Sequence, residues 1–94
     1  MKIIKIGASW CSGCAVMRPR WDKIEKMRKE IGKPIETEYF DYDIHEDELK
    51  EKYNTGDKLP IFIFLDKNGN ELERQIGEPS EELLLSLIDK YEAL

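Results

Sequence analysis

Two cysteines separated by two residues carry the most reactive side chains of this sequence. They are Cys11 and Cys14, in the segment Trp10-Cys-Ser-Gly-Cys, and the chain of 94 residues has no other cysteine. Such a pair can bind a metal, form a structural disulfide, or exchange electrons through a reversible disulfide. Which of these applies depends on the rest of the chain.

Metal binding and a structural disulfide both fit poorly. A structural zinc site needs about four ligands, and beyond the two cysteines the chain offers one histidine, His45, far along the sequence. We therefore expect no metal, unless two chains pool their thiolates. A disulfide across two intervening residues would constrain little of the unfolded chain. Redox chemistry by the cysteine pair remains.

The length and composition indicate one domain, residues 1–94, with a strongly charged surface. Charged residues make up 37% of the chain and the formal net charge is −5. This balance disfavours nucleic acid as a partner, because phosphate binding requires a surplus of Lys and Arg. No apolar run is long enough to span a membrane, and the first residues lack the apolar region of a secretion signal. We therefore expect a cytoplasmic protein whose thiols are kept reduced.

Hydrophobic periodicity predicts a strand over residues 2–8 and a helix from Cys11 to a stop at Gly32. Pro19 lies inside this helix and is expected to bend it. The apolar stripe of the helix steps by three or four residues: Cys14, Met17, Trp21, Ile24, Met27 and Ile31. Residues 35–44 alternate in polarity and predict a second strand, with one face formed by Phe40, Tyr42 and Ile44.

The second half of the chain predicts a helix, two strands and a final helix. Asp43 is expected to cap a short helix that turns Leu49 and Tyr53 inward. The apolar segment after Leu59 is typical of a buried strand, and Asn68-Gly69 predicts a hairpin into the last strand. Ser80 is expected to cap the final helix, whose buried stripe would comprise Leu83, Leu84, Leu87, Ile88 and Tyr91.

The element order β-α-β-α-β-β-α favours an α/β fold with a four-stranded mixed sheet and helices on both faces. The first two strands should be parallel and the last two an antiparallel hairpin. The cysteines then lie where the first strand ends and the first helix begins. A helix N-terminus stabilises an anion, so Cys11 is expected to be the exposed nucleophilic thiolate. Cys14, one turn further and more interior, is expected to resolve the mixed disulfide.

The neighbours of the two cysteines have expected roles of their own. Ser12 and Gly13 shape the turn between them and allow a partner chain to approach closely. Trp10 offers an apolar contact surface beside them.

These features resemble the thioredoxin family over almost the whole chain. The matching segments are "WCSGC", Pro19 five residues after Cys14, "KLPIFIFLDKNGNE" and "IGEPSEE". The resemblance implies a thioredoxin-like fold in which the Leu59–Pro60 peptide bond is cis and faces the cysteines. It also implies that the Leu59 backbone offers hydrogen bonds to a substrate strand, with Ile76 and Gly77 adding contact surface.

The chain departs from the family pattern in three ways. It resembles a short, glutaredoxin-like form that lacks the first strand and helix of thioredoxin, and Gly13 stands where thioredoxin commonly has proline. Lys5 replaces the family's buried aspartate six residues before the first cysteine, and Tyr39 falls near the position of the lysine that pairs with it. Lys5 could act as a neutral base, stabilise the thiolates as a cation, or extend to the sheet edge and touch neither thiol.

The sequence thus predicts an enzyme of electron transfer and cell redox homeostasis, which reduces protein disulfides as a monomer. Its only cofactor would be the Cys11–Cys14 disulfide, and a thioredoxin-reductase-type partner would supply the electrons. A glutathione-linked, glutaredoxin-like enzyme is a weaker alternative, because Ala8 and "IGEP" replace the glutathione contacts that resemblance to glutaredoxin would require. A redox-inactive or metal-bridged adaptor is the alternative from another functional class.

Overall fold

Seven secondary-structure elements follow one another in the order that the sequence predicts. The computed structural model describes residues 1–94. Its elements are β1 (Lys2–Gly7), α1 (Ser12–Glu30), β2 (Glu36–Asp41), α2 (Tyr42–Tyr53), β3 (Ile61–Leu65), β4 (Glu71–Ile76) and α3 (Glu81–Glu92). None of the three helices combines the length and apolar character needed to cross a membrane.

The four strands form one mixed sheet in the order β2-β1-β3-β4. Strand β1 pairs in parallel with β2 and antiparallel with β3, and β3 pairs antiparallel with β4. The turn between β3 and β4 contains Gly69 at φ 85°, a conformation that glycine adopts without a steric penalty. This topology confirms the predicted α/β fold with its parallel first pair and its C-terminal hairpin.

The sheet has an apolar core on each face, because successive side chains of a strand point to opposite sides. Helices α1 and α3 cover one face, where the core comprises Ile3, Met17, Trp21, Ile24, Phe62, Phe64, Leu84, Leu87 and Ile88. Helix α2 covers the other, where the core comprises Ile4, Ile6, Ala8, Cys11, Cys14, Tyr42, Leu49, Ile61, Ile63 and Leu65. All five residues of β3 are buried, as expected for a strand covered on both faces.

The buried stripe of α1 ends differently from the prediction. Met27 and Ile31 are exposed, and Arg28 is buried in their place, with 5% of its surface accessible. Its side chain donates from Nε to the carbonyl oxygen of Lys33, at 2.9 Å, and pairs with the carboxylate of Glu92. A buried guanidinium is tolerated because these partners replace its hydration. The apolar periodicity of the sequence could not predict that a charged residue is buried at this end of the helix.

The second strand is shorter than predicted. It ends at Asp41, whose carboxylate caps α2 by accepting a hydrogen bond from the Asp43 N–H. The assignment of Asp43 as the cap was therefore wrong. Tyr42 and Ile44 belong to α2 rather than to a strand, and Ile44 is 75% exposed. Alternation over three apolar residues is compatible with a longer strand and also with a strand that ends where a helix begins, so the pattern did not distinguish the two.

The last helix confirms its predicted cap. The Ser80 hydroxyl oxygen accepts a hydrogen bond from the Leu83 N–H at 3.1 Å. Leu84, Leu87 and Ile88 are buried as predicted, whereas Leu83 is exposed. In α2, Leu49 is buried and Tyr53 is half-buried, as that stripe predicted.

Replacement of Glu92 by glutamine is expected to lower the stability near neutral pH and to have little effect in acid. The hydrogen bond from Arg28 lowers the pKa of the Glu92 carboxyl below its usual value. The stability that this pair contributes is therefore present above the unfolded-state pKa of about 4.3 and is lost as the pH falls through the lower folded-state value. Urea unfolding near pH 7 and about pH 3 would measure the difference, and an equal loss at both would contradict it.

Candidate active site

The start of α1 positions both cysteines. Residue Cys11 is the N-cap of the helix, with extended backbone angles, and its N–H donates to the carbonyl oxygen of Ala8 at 3.3 Å. Its Sγ accepts a hydrogen bond from the Cys14 N–H at 3.1 Å. The two Cα atoms are 5.2 Å apart and the sulfurs form a disulfide. One turn of helix therefore holds the pair at bonding distance without contributions from distant elements.

The expected difference in exposure between the two cysteines is not found. Cys11 is 8% exposed and Cys14 is 7% exposed, so in the disulfide form both are buried. The surroundings of the sulfurs do differ. Cys11 Sγ lies at the helix N-terminus and receives a backbone N–H, an arrangement that favours a thiolate there. Cys14 Sγ lies 3.1 Å from where a Cβ on Gly7 would stand, toward the end of β1.

The segment before β3 approaches the cysteine pair from the side. The Leu59–Pro60 peptide bond is cis. A Cβ on Gly13 would lie 3.2 Å from Pro60 Cδ, so the proline ring packs against the first turn of α1. The carbonyl oxygen of Pro60 accepts a hydrogen bond from the Gly77 N–H at 2.9 Å, whereas the backbone groups of Leu59 have no partner within the protein. Leu59 thus presents an unpaired N–H and C=O beside the disulfide.

Two exposed apolar side chains, Trp10 and Ile76, come from the segments that carry this site. The Trp10 Nε1 donates to both carboxylate oxygens of Asp43, at 3.0 and 2.9 Å. This contact fixes the indole beside the disulfide loop. Sequence reasoning missed Asp43 as part of the site, because the contact depends on where α2 begins in space. Ser12 is exposed in the first turn, and Pro19 is exposed within α1.

A second acidic residue at the site was also missed. The Glu78 Oε2 lies 3.4 Å from where a Cβ on Gly13 would stand, next to the Pro60 ring. A carboxylate therefore borders the surface between the cysteine turn and the cis-proline. No local pattern marks Glu78, because its position follows from the pairing of β4 with β3 and from the Gly77–Pro60 hydrogen bond.

Lys5 lies opposite Tyr39 in the parallel pairing of β1 with β2. Because β1 is an interior strand, the side chain does not reach a sheet edge. Its Nζ lies 3.0 Å from Glu25 Oε2, and the other carboxylate oxygen of Glu25 accepts a hydrogen bond from the Thr37 hydroxyl at 2.7 Å. This arrangement suits an ammonium ion better than a neutral base.

A small, half-open cavity of about 70 Å³ lies beside Cys14. Side chains from β1, α1, β2 and the segment before β3 surround it: Lys5, Ile6, Gly7, Cys14, Met17, Arg18, Trp21, Asp22, Tyr39, Pro60 and Phe62. No three His, Cys, Asp or Glu side chains converge anywhere in the structure as a metal site would require. The site therefore combines a disulfide, the unpaired backbone groups of Leu59 and a half-open pocket that Lys5 and Cys14 share.

Comparison with known proteins identifies the family. A family model described as thioredoxin matches residues 1–87. Thioredoxin 1 of Thermosipho africanus is 27% identical, with 99% of this chain and 96% of the other covered and a TM-score of 0.74. Thioredoxin-2 of the malaria parasite is 31% identical, with 95% and 81% covered and a TM-score of 0.78. Thioredoxin of Fasciola hepatica is 31% identical, with 96% and 79% covered and a TM-score of 0.72.

A comparison with curated proteins gave no significant match. The family model and the structural neighbours agree with the site: a disulfide within one helical turn, at the end of the first strand, is the redox pair of a thiol–disulfide oxidoreductase. The chain belongs to the thioredoxin family.

Proposed function

We propose that this protein reduces disulfide bonds in other proteins, with Cys11 as the nucleophile and Cys14 as the resolving thiol. The observation that carries this proposal is the position of Cys11 as N-cap of α1, where its sulfur accepts the Cys14 N–H. That hydrogen bond and the helix dipole favour the thiolate of Cys11 in the reduced protein. Cys14 has no comparable position.

The reaction proceeds by two exchanges. The Cys11 thiolate attacks one sulfur of the substrate disulfide, forms a mixed disulfide, and releases the other substrate sulfur as a thiolate. The Cys14 thiolate then attacks Cys11 Sγ, which forms the Cys11–Cys14 disulfide and releases the second substrate thiolate. Two electrons pass to the substrate. No cofactor other than the cysteine pair is needed within the chain, and a thioredoxin-reductase-type partner restores the dithiol.

The substrate binds as an extended segment beside Leu59. Its backbone pairs with the free N–H and C=O of that residue, as a strand adds to an exposed edge. Trp10 and Ile76 contribute apolar contact, and the Pro60 ring and Gly77 border the segment. These contacts are independent of the substrate's side chains, so they suit an enzyme that accepts many protein disulfides.

The cytoplasm is the proposed compartment and the monomer the proposed working state. The cytoplasmic environment keeps thiols reduced and so favours the reductive direction. One chain supplies both cysteines, the Leu59 backbone and the apolar rim of the site, so a monomer is sufficient for the two exchanges.

The reduction potential of the Cys11–Cys14 couple tests the direction of this reaction. A value near that of thioredoxin, about −270 mV, is expected for a reductant of cytoplasmic disulfides. Titration against a dithiol buffer, followed by alkylation and mass measurement, would give the value. A potential near that of strong oxidants, about −120 mV, would contradict the reductase and indicate an oxidant. Failure to form the disulfide would contradict redox function altogether.

The glutathione-linked alternative is opposed by the position of Glu78. Glutathione carries more negative than positive charge at neutral pH, and the Glu78 carboxylate borders the surface that it would have to occupy. Like charges at contact distance near a surface cost about 1 kcal/mol or more. Glu78→Lys is therefore expected to raise the rate with glutathione disulfide about fivefold or more.

The rate with neutral hydroxyethyl disulfide serves as the internal reference for this prediction. Glu51→Lys, which makes the same change of charge on the exposed surface of α2, is the matched control and is expected to leave the ratio of the two rates unchanged. An equal increase in both variants would assign the effect to net charge rather than to the position of Glu78.

A further inference from the structure

Reduction through the proposed mechanism requires Cys14 to lose its proton inside the protein. This inference rests on that proposed role of Cys14 as the resolving thiol. Its sulfur lies beside the cavity of about 70 Å³ described above. Strand β1 carries Lys5 and has no Asp or Glu, so it offers no carboxylate beneath the disulfide. Another group must stabilise the thiolate of Cys14.

Lys5 is poorly placed for this task. Its ammonium is already paired with Glu25, and Glu25 also accepts the Thr37 hydroxyl. The Lys5 Nζ lies 5.6 Å from the centre of the Trp21 ring, which further surrounds the charge. Movement toward Cys14 would break the ion pair and leave Glu25 part-buried without its cation, which is costly.

Tyr39 approaches Cys14 from the neighbouring strand. The position of a Cβ on Gly7 would be 3.1 Å from Cys14 Sγ and 3.2 Å from the Tyr39 hydroxyl oxygen. The sulfur and the hydroxyl are thus separated by no more than the sum of these two distances, which one water molecule can bridge. Glycine at position 7 keeps this space open. The chain is also extended here, so a side chain at position 7 would meet both groups.

The cavity is suited to hold such a water. Trp21 lines it and is 2% exposed, and its Nε1 has no hydrogen-bond partner in the protein. A buried N–H of this kind is normally satisfied by a water when no protein group is available. The Tyr39 hydroxyl and the Asp22 side chain add polar groups to the same walls. The space, the unsatisfied donor and the hydroxyl therefore occur together beside the sulfur.

Tyr39 remains protonated at neutral pH and can act as a donor. Tyr39 is 53% exposed, and the partial burial of its phenol, followed by the charge of Asp41, raises the pKa of the phenol above its usual value. The charge of Asp43 also raises the pKa of the Tyr39 phenol, whereas the charge of Arg18 lowers it. The remaining charged groups on the cavity walls are Lys5 and Asp22.

We propose that the Tyr39 hydroxyl stabilises the Cys14 thiolate through a water molecule in this cavity, and thereby accelerates the resolving step. The Cys14 proton passes to the cavity water and from there to solvent. The electron pair of the Cys14 sulfur forms the bond to Cys11 Sγ. The electrons of the mixed disulfide leave on the substrate sulfur, which takes a proton from solvent. Tyr39 keeps its own proton and acts as a positioning residue.

The two exchange steps can be followed separately with an aromatic disulfide whose halves absorb light when released. Attack by Cys11 releases the first half and attack by Cys14 releases the second. Tyr39→Phe removes only the hydroxyl. It is expected to slow the second phase about five- to tenfold near neutral pH and to shift its pH profile upward, because a hydrogen bond to a charged sulfur is lost. The first phase is expected to keep its rate.

Two further variants make the result specific. Tyr53→Phe removes a hydroxyl from α2 that does not line the pocket beside Cys14, and is expected to change neither phase. Lys5→Gln is expected to slow the second phase less than Tyr39→Phe does, because Lys5 is paired with Glu25 rather than with Cys14. An unchanged second phase in Tyr39→Phe, or an equal slowing of both phases, would overturn the inference. So would a slowed second phase in Lys5→Gln alone, which would return the role to Lys5. If the wild type releases neither half, the proposed function itself fails, and this inference with it.

Discussion

Cys14→Ser is expected to stop catalytic turnover and to leave the substrate covalently attached to Cys11. The Cys11 thiolate would still be favoured at the start of α1, because its position as N-cap depends on its own backbone. Without a second thiol, the mixed disulfide cannot be resolved from within the protein. Turnover of a protein disulfide should fall by about 10²-fold or more. Mass spectrometry under non-reducing conditions would detect the adduct.

Cys11→Ser is the matched variant and is expected to form no adduct in the same experiment. The comparison matters because the two cysteines are almost equally buried in the disulfide form, at 8% and 7% exposure. Their roles therefore rest on the surroundings of each sulfur and not on accessibility. A stable adduct in Cys11→Ser, together with none in Cys14→Ser, would reverse the two roles while leaving the redox function intact.

Phe64→Ala is expected to lower the free energy of unfolding by about 3–5 kcal/mol. Phe64 lies on β3 with no exposed surface, in the core between the sheet and helices α1 and α3. Its ring centre is 6.0 Å from that of Tyr91. Truncation removes the buried ring and leaves a cavity that the closely packed core fills only in part. Urea unfolding followed by tryptophan fluorescence would measure the loss.

Ile44→Ala is the control for this measurement and also tests the course of the chain after β2. Its side chain is 75% exposed on α2, whereas the sequence pattern predicted it on the apolar face of a strand. The change is expected to alter the free energy of unfolding by about 0.5 kcal/mol or less. A cost above about 2 kcal/mol would place Ile44 in a core and contradict the helix assignment.

The sequence alone determined the element order and the location of the chemistry. The cysteine pair, the helix cap at Ser80 and the Asn68-Gly69 turn are local signals, because each depends on residues within one turn of chain. The buried strand β3 was equally clear, since five consecutive apolar residues require cover on both faces. The pattern of a strand followed by a helix also placed Cys11 at a helix N-terminus.

Local patterns failed where two different structures satisfy the same pattern. Alternation over Phe40, Tyr42 and Ile44 fits a strand, yet the Asp41 carboxylate caps a helix that begins inside the run. The stripe of α1 predicted an apolar residue at its end, and Arg28 is buried there instead. Its charge is satisfied by the carbonyl of Lys33 and by Glu92 of α3, a partner 64 residues away.

Only the tertiary structure decided which groups surround the disulfide. The sequence placed Lys5 in the position of the family's aspartate and Tyr39 near its partner, and the parallel pairing of β1 with β2 puts the two residues side by side. It could not show that Glu25 of α1 holds the Lys5 ammonium, or that Glu78 borders Gly13. These contacts join residues far apart in the chain. They depend on the packing of α1 against the sheet and on the pairing of β4 with β3, which no local periodicity records.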